Sequence, residues 1–518
     1  MDIEKLSLAQ KIGQMFLVSF DGTSILPETK AHFLKNSLGN YIFFAKNLTD
    51  FRSIRELSDS LQATAFEICG VPAFVSADQE GGMVARVHSG SAHFPASMAV
   101  AASGVPMSDI ERVGQLVGEG LKRVGINLNH APVVDVNNNP QNPVIGTRSF
   151  SDDPAVVSAM AVAYIRGLQN SGVLANVKHF PGHGDTDTDS HLALPAVAHD
   201  ISRLNAVELV PFRGAISGGV DSVMTAHILF KAIDDLPATL SHKIITGLLR
   251  VEMGFRGLVI TDCMSMEAIK THFTTEKGCV MAINAGADLL CLNADIPTQE
   301  RCVRAVREAV ERGEISMEKI DDALRRILKY KRKYAYDKAS PPLAVYPAHE
   351  ELADEISEKS ITLVHSGDDL LPLKGRRVFA ISTIPHRANI ADDILAKAEI
   401  FAEYAAAALD GEFAAIGADP DTGEIAATIQ KAADYNVILY ATCNAAQNPG
   451  QVRLFDALKS AGKRIVLVSL RAPYDITLMP SADAYIAAYE YTNRSVTSAT
   501  KALLGEIPFA GKLPVRMT

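Results

Sequence analysis

The sequence predicts an α/β protein with two domains, a TIM-like (β/α)8 barrel followed by a smaller α/β sandwich. Three observations predict this fold. The chain has 518 residues, which is too long for one ordinary domain. Up to about residue 335, short apolar runs alternate with amphipathic helical stretches, as in parallel βαβ units. Polar side chains also follow the ends of these runs.

Eight apolar runs supply the strands of the first domain. Their alternation with helices fits a doubly wound sheet as well as a closed barrel. Active sites of such barrels are built at the carboxyl ends of several strands, so the polar residues there favour the barrel. Helix N-caps explain some of these residues, but not the lysine and the histidines. The runs are 15–20, 41–45, 73–76, 126–136, 173–177, 222–226, 258–261 and 288–292, and the polar residues are Asp21, Asn47, Asp78, Asp135, Lys178, His179, His227, Asp262 and Asn293.

The domain boundary is predicted from a change in pattern near residue 335. Residues 316–335 read as a last barrel helix, and DKASPPLAVYP follows without any period. We therefore expect the barrel over 1–335, a linker over 336–355 and the sandwich over 356–518. The second domain has candidate strands at 378–383, 437–441, 465–470 and 484–488 and an alanine-rich helical stretch at 390–408.

Composition excludes several classes of protein. The content of hydrophobic residues is 47% and that of charged residues is 21%, as in soluble globular proteins. A net charge of −10 argues against nucleic acid as a partner, and no apolar run reaches the length of a membrane span. The opening MDIEKLSLAQ lacks the features of a secretory signal. Six scattered cysteines without a CxxC pair indicate reduced thiols, so we expect a cytoplasmic protein.

The segment KHFPGHGDTDTDSH at 178–191 holds one lysine, three histidines and three aspartates. A solvated loop is the simplest interpretation, but it does not explain Lys178 and His179 at a strand end. A calcium loop fails because Ser190 and Ala196 occupy the positions of its glycine and its bidentate glutamate. Zinc is harder to dismiss, although the histidine spacing matches no short zinc motif. We favour acid/base catalysis, with His191 tuned by a nearby carboxylate.

Several motifs then occur in one order along the barrel. They are DQEGG (78–82) with Arg86, NLNHAPVVDVNNNP (127–140), IGTRSF (145–150), KHFPGHGDTDTDSH (178–191), VMTAH (223–227), PATLS (237–241) and GLVITDCMSM (257–266). This ordered set closely resembles the β-N-acetylglucosaminidase branch of glycoside hydrolase family 3. The resemblance covers nearly all of the first 335 residues and continues more weakly in ITLV (361–364), LLPL (370–373) and GKLPV (511–515).

The resemblance implies the catalytic residues. Asp262 matches the nucleophile, which forms a covalent glycosyl-enzyme intermediate and gives retention of configuration. His191 matches the acid/base of this branch, with Asp189 as its partner. Imidazole titrates near neutral pH, and a carboxylate bound to one ring nitrogen orients the other, so this assignment is chemically reasonable. One departure is Cys263, which stands where the family usually has a second acid.

The resemblance also implies a set of sugar-binding residues. Carboxylate acceptors and cationic donors suit recognition of several hydroxyl groups, and the guanidinium fork fixes geometry well. Two of these residues have an alternative interpretation: Arg86 as a salt bridge that holds the DQEGG turn, and Met266 as a plain core residue. Asp135 and His227 are interpreted as structural. The implied substrate-binding residues are Asp78, Arg86, Arg148, Lys178, His179 and Met266.

We therefore predict a retaining exo-β-N-acetylglucosaminidase that needs no metal and no cofactor. Its expected partner is a small carbohydrate, a GlcNAc-terminated saccharide or muropeptide from cell-wall recycling or chito-oligosaccharides, and neither nucleic acid nor membrane. A phosphorylase of the same family is the alternative, since a neutral histidine tolerates an attacking phosphate. A β-glucosidase, a catalytically silent sugar-binding protein and a zinc hydrolase stay open as further hypotheses.

Overall fold

The computed structural model describes residues 3–88, 93–187, 194–336, 347–367, 370–387, 391–393 and 399–517. Within these ranges the chain forms a barrel and a second α/β layer packed on it. No helix of the described residues is long and apolar enough to cross a membrane.

The first domain is a closed barrel of parallel strands. Neighbouring strands pair in the order β7-β6-β5-β4-β3-β2-β1-β8. A parallel bridge between Ile260 and Leu289 joins the two ends of this order and closes the barrel. All eight predicted strands are therefore present and the barrel is confirmed over the doubly wound sheet. The strands are β1 (Phe16–Val18), β2 (Asn40–Ile42), β3 (Phe74–Ala77), β4 (Leu128–Asn129), β5 (Leu174–Phe180), β6 (Ser222–Thr225), β7 (Leu258–Thr261) and β8 (Leu290–Leu292).

Helices surround this barrel and begin where their sequences supply caps. The side chains of Asp50, Asp153 and Asp295 accept hydrogen bonds from backbone amides in the first turn of three of them. The helices are α1 (Leu8–Gly13), α2 (Pro27–Asn36), α3 (Phe51–Cys69), α4 (Ser97–Ala102), α5 (Met107–Arg123), α6 (Pro154–Asn170), α7 (Ile201–Ala206), α8 (Leu209–Ser217), a π-helix (Lys243–Glu252), α9 (Glu267–Phe273), α10 (Thr275–Ala285), α11 (Ile296–Glu311) and α12 (Met317–Tyr334).

The second domain is one sheet covered by helices. Its strands are β9 (Thr362–Ser366), β10 (Val378–Thr383), β11 (Glu412–Ile416), β12 (Val437–Thr442), β13 (Arg464–Ser469) and β14 (Ala484–Ala487), and its helices are α13 (Pro347–Ser360), α14 (Phe401–Leu409), α15 (Thr422–Lys431), α16 (Pro449–Ser460) and α17 (Asn493–Leu504). The spatial order is β9-β14-β13-β12-β10-β11, and only β9 is antiparallel. The chain order therefore reverses at β10, and ligands of such sheets bind beyond the carboxyl ends of the strands at this point.

Two details of the second domain differ from the sequence prediction. The helix predicted over 390–408 is wrong at its start, because Ala391 and Asp392 lie in a turn and α14 begins only at Phe401. Pro347 starts α13 inside the predicted linker, of which 337–346 lie outside the described residues. The boundaries 1–335, 336–355 and 356–518 stay a prediction.

The two domains contact each other through buried polar groups. The Ala96 amide donates to Glu490 Oε2 at 2.7 Å, and Asn137 donates to the Tyr474 hydroxyl at 2.8 Å. Because Glu490 and Asn137 are both almost fully buried, these bonds are made away from water. The second domain is thereby fixed over the carboxyl end of the barrel.

Candidate active site

A cavity of about 500 Å³ lies at the carboxyl ends of the barrel strands. The polar ends of β3 and β5 supply its floor, and the end of β7 supplies one wall. The loop after β10 supplies part of its wall, so the reversal point of the second sheet faces the barrel. The lining includes Asp78, Glu80, Arg86, Arg148, Lys178, His179, Asp262, Cys263 and Met266 from the barrel and Arg387, Ala391, Asp392 and Asp393 from the second domain.

A buried network of charges forms the floor of this cavity. Lys178 Nζ lies 2.7 Å from Asp78 Oδ1 and 2.6 Å from Glu80 Oε1. Arg148 donates through Nε and one terminal nitrogen to the two carboxylate oxygens of Glu80, each at 2.8 Å. Bidentate pairs of this kind fix the plane of the guanidinium group. The network therefore holds Asp78, Lys178 and Arg148 in one arrangement.

These neighbours determine the charge of both carboxylates. Burial alone would raise the pKa of Glu80, but Arg148 and Lys178 outweigh it and lower that pKa to about 2. Burial also opposes ionisation of Asp78, yet Lys178 and then Arg86 hold its pKa well below the ordinary range. Asp78 is consequently an ionised acceptor at any physiological pH.

A second buried carboxylate, Asp135, orients the start of the histidine-rich loop. Asp135 Oδ2 lies 2.8 Å from His179 Nδ1, and Oδ1 accepts from the backbone amides of His179 and His183 at 3.2 and 2.7 Å. Burial opposes its charge, but His179 keeps the pKa of Asp135 below its usual value. Asp135 thus has the structural role expected of it, and it orients the ring of His179, which lines the cavity.

Asp262 follows β7 directly and is half-buried in the cavity wall. Its amide donates to Thr225 O at 3.2 Å, and its Oδ1 accepts from the Cys263 amide at 2.7 Å. His227 Nε2 donates to Cys263 O at 2.9 Å, while its Nδ1 lies 2.9 Å from Thr239 Oγ1. His227 therefore fixes the turn that carries Asp262, as the sequence indicated.

Cys263 and Met266 complete this wall. The thiol of Cys291 hydrogen-bonds to Cys263, and this bond contributes most to lowering the pKa of Cys263 to about 7. Ser265 Oγ, 3.1 Å away, and the Asn293 amide, 3.3 Å away, also contact the sulfur. Met266 lines the cavity although it is nearly fully buried, and its contact with a sugar stays a prediction.

Residues 7–330 match the model described as "Glycosyl hydrolase family 3 N terminal domain", which is more than half of the chain. The chain belongs to glycosyl hydrolase family 3. The predicted family and the predicted fold are both confirmed.

Relatives extend the likeness beyond the barrel. "Beta-hexosaminidase A" of Pseudoalteromonas piscicida is 32% identical, over 95% of this chain and 91% of that protein. A solved glycoside hydrolase family 3 β-N-acetylglucosaminidase from Paenibacillus sp. str. FPU-7 has a TM-score of 0.93 and 38% identity, covering 99% of both chains. A "Beta-hexosaminidase" of Pseudomonas aeruginosa strain LESB58 is 30% identical over 56% of this chain and 86% of its own length.

The family's histidine loop is only partly described. His191 and Asp189, the predicted acid/base and its partner, lie outside the described residues. His183 is described, and burial lowers its pKa to about 4, so it is neutral in the folded protein. Among the residues that the structure describes, no three His, Cys, Asp or Glu side chains are placed to hold a metal ion.

The structure brings together all the described residues that the sequence assigned to the site. Asp78, Arg86, Arg148, Lys178, His179, Asp262 and Met266 all line the cavity. Arg86 also pairs with Asp393 of the second domain, and its role in sugar binding stays a prediction. Sequence reasoning missed Glu80 and Asp393. Glu80 lies inside the quoted DQEGG motif, which was the available signal, whereas nothing near Asp393 in the sequence marked it.

Proposed function

We propose that this family 3 protein is a retaining exo-β-N-acetylglucosaminidase in which Asp262 is the nucleophile. The chain is a glycoside hydrolase, since it belongs to family 3 and is similar to proteins named beta-hexosaminidases. The observation that carries the assignment of Asp262 is its position. It is a half-buried carboxylate that lines the same cavity as Asp78 and Lys178.

Substrate binding in this proposal uses the charged floor. Asp78 accepts hydrogen bonds from ring hydroxyls, while Lys178, Arg148 and His179 donate to sugar oxygens. Because Glu80 and Asp135 already hold these donors in place, little ordering is needed when the sugar binds. A cavity of about 500 Å³ is in the size range of small-molecule sites, which suits one terminal sugar and part of its leaving group.

The reaction then proceeds in two balanced steps. A carboxylate oxygen of Asp262 attacks the anomeric carbon as the bond to the leaving oxygen breaks, and His191 gives that oxygen a proton. Water next attacks the anomeric carbon, the bond to Asp262 breaks, and His191 recovers a proton. Two inversions give net retention. The Cys263 amide at 2.7 Å stabilises the negative charge on Asp262 before attack and after release.

Substrate origin and location belong to the same proposal. All six cysteines are free, as expected of a protein from a reducing compartment. A cytoplasmic enzyme of this class would act on imported cell-wall fragments or chito-oligosaccharides. Among the described residues, no second-domain side chain that lines the cavity is a glutamate. This favours a histidine acid/base over the second-domain glutamate that a β-glucosidase would use.

The first experiment is release of p-nitrophenol from its β-N-acetylglucosaminide, with and without phosphate. We expect release that does not depend on phosphate, with GlcNAc formed first as the β-anomer in proton NMR. GlcNAc-1-phosphate as the product would replace the hydrolase by a phosphorylase. Asp262→Asn should lose on the order of 10⁴-fold in kcat while staying folded.

A matched control is available at the neighbouring strand end. Asp295 follows β8 and caps α11 through the Thr298 amide at 2.9 Å. Because asparagine caps a helix as well as aspartate does, Asp295→Asn should keep wild-type kinetics. Equal losses in the two variants would mean that Asp262 is not the nucleophile.

A further inference from the structure

A short segment of the second domain is inserted into the barrel's sugar site. Asp393 donates its amide to Met83 O at 2.8 Å, and its Oδ2 accepts from the Ala85 amide at 3.1 Å. Both contacts lie within the small antiparallel hairpin that follows Asp78. The Asp393 side chain is only 4% exposed, so its position is fixed by the barrel backbone on two sides.

The same segment holds the guanidinium group of Arg86. One terminal nitrogen lies 2.6 Å from Asp393 Oδ1, and both terminal nitrogens donate to Ala391 O at 3.1 Å. The second terminal nitrogen lies 3.8 Å from Asp78 Oδ2. Arg86 Nε is buried and has no hydrogen-bond partner among the described residues. The second domain therefore sets how Arg86 is aimed at the sugar site.

Charge balance explains why this matters for the substrate. Asp78 already pairs with Lys178 at 2.7 Å. Without Asp393, the buried guanidinium of Arg86 would have Asp78 as its nearest counter-ion. The terminal nitrogen that now lies 3.8 Å from Asp78 Oδ2 would then move about 1 Å to reach hydrogen-bond contact, and it would occupy the acceptor that the sugar hydroxyls need. Asp393 thus holds Arg86 near Asp78 but prevents it from forming a direct hydrogen bond to the Asp78 carboxylate, which stays available to the sugar hydroxyls.

We propose that Asp393 is a positioning residue for the sugar site, acting through Arg86, and that the second domain is therefore required for substrate affinity. This rests on the proposed function. In this proposal Arg86 binds the sugar without taking part in bond breaking, and Asp393 acts only by holding Arg86. Its loss therefore weakens binding of the ground state and the transition state alike, which raises KM and leaves kcat nearly unchanged.

The test compares Asp393→Asn, Arg86→Lys and the double variant in the full chain, with p-nitrophenyl β-N-acetylglucosaminide as substrate and GlcNAc as a competitive inhibitor. We expect Asp393→Asn to raise KM and the inhibition constant of GlcNAc by about 10- to 100-fold, the effect of losing one charged hydrogen bond. The double variant should be no weaker than Arg86→Lys alone, since Asp393 acts through Arg86. Effects that multiply, or an unchanged KM, would overturn the proposal.

Asp483 provides the matched control. This second-domain carboxylate also pairs with a cation, Lys459 at 2.8 Å, and accepts a backbone amide, that of Ile465 at 2.7 Å. It does not line the cavity, so Asp483→Asn should keep the wild-type KM. A matching rise in KM there would mean that Asp393 only stabilises the domain. Should Asp393→Asn fail to fold, Asp393→Ser removes the charge from a smaller side chain, and a wild-type KM in that variant would equally overturn the proposal.

The proposed activity and the positioning role of Asp393 can be refuted separately. Wild-type protein that releases no p-nitrophenol would refute the proposed activity. The positioning role would still be tested by calorimetric binding of GlcNAc to the wild type and to Asp393→Asn. Active wild type with an unchanged Asp393→Asn variant would refute the positioning role alone.

Discussion

Glu80 offers the sharpest test of the charged floor. It is 4% exposed and pairs with Arg148, 7% exposed, and Lys178, 3% exposed. Lowering its pKa from the ordinary 4.5 to about 2 corresponds to about 3 kcal/mol in favour of the folded, ionised state. This agrees with the ~3–5 kcal/mol that breaking a buried ion pair costs. Glu80→Gln should therefore lower the free energy of unfolding by about 3 kcal/mol at pH 7.

The lowered pKa of Glu80 determines how its contribution to the free energy of unfolding changes with pH. The contribution of Glu80 is complete above the unfolded pKa near 4.5 and is lost as pH falls from there through about 2. Urea unfolding should thus show a constant gap between wild type and Glu80→Gln from pH 7 to about 5, and a shrinking gap below that. Misplacing Arg148 and Lys178 by about 1 Å should also cost about 100-fold in kcat/KM.

A surface pair serves as the control. Glu314 lies 2.9 Å from Arg312, and both side chains are about half exposed. Because an exposed ion pair contributes little to stability, Glu314→Gln should leave both the free energy of unfolding and the kinetics essentially unchanged. Wild-type stability and kinetics in Glu80→Gln would refute the view that this carboxylate organises the site.

Three further outcomes are expected. The Cys263 thiol has a pKa of about 7, and only its thiolate reacts with iodoacetamide. Alkylation should therefore be about fivefold faster at pH 7 than at pH 6, and less than about twofold faster again at pH 8. Mass spectrometry of the labelled peptide measures these rates, and a rate independent of pH would contradict the prediction. Burial raises the pKa of Glu490 to about 7. The neutral carboxyl group therefore contributes fully to stability below pH 4.5, and this contribution is lost as the pH rises through 7. In urea unfolding, Glu490→Gln should have a free energy of unfolding about 3 kcal/mol higher than that of the wild type at pH 8 and equal to it at pH 4.5. Gly184→Ala should lower the free energy of unfolding by about 3 kcal/mol or more, because the added Cβ would lie 1.6 Å from Val136 O. Gly247→Ala is the control: its Cβ would lie 3.8 Å from the nearest atom, His242 O, so the same measurement should show almost no change.

The sequence predicted the barrel well because buried parallel strands are short apolar runs with polar residues at their ends. The run at 258–261 corresponds to the strand Leu258–Thr261, and Asp262 follows it as expected. Edge strands carry a weaker pattern. Glu412–Ile416 is half exposed and alanine-rich, so it resembled the neighbouring helices and was not predicted.

Contacts between distant parts of the chain were beyond sequence reasoning. Asp393 lies 307 positions from Arg86, in an alanine-rich stretch interpreted as helix, and only the docked domains bring the two together. Motif spacing likewise grouped Asp78 and Glu80 without indicating which cation each would bind. Three-dimensional charge balance decides that Glu80 takes Arg148 and shares Lys178.

The two carboxyl-end faces that meet at the cavity have a consequence for how such an enzyme diversifies. Barrel loops fix the chemistry at the floor, whereas the loop after β10, with Arg387 at the rim, belongs to a separately folded sheet. Substitutions in that loop can reshape the rim without disturbing Asp262 or the barrel core. Selection for a new leaving group can therefore act on the part of this loop that carries Arg387, while Ala391 and Asp393 of the same loop stay constrained because they hold Arg86 at the sugar site.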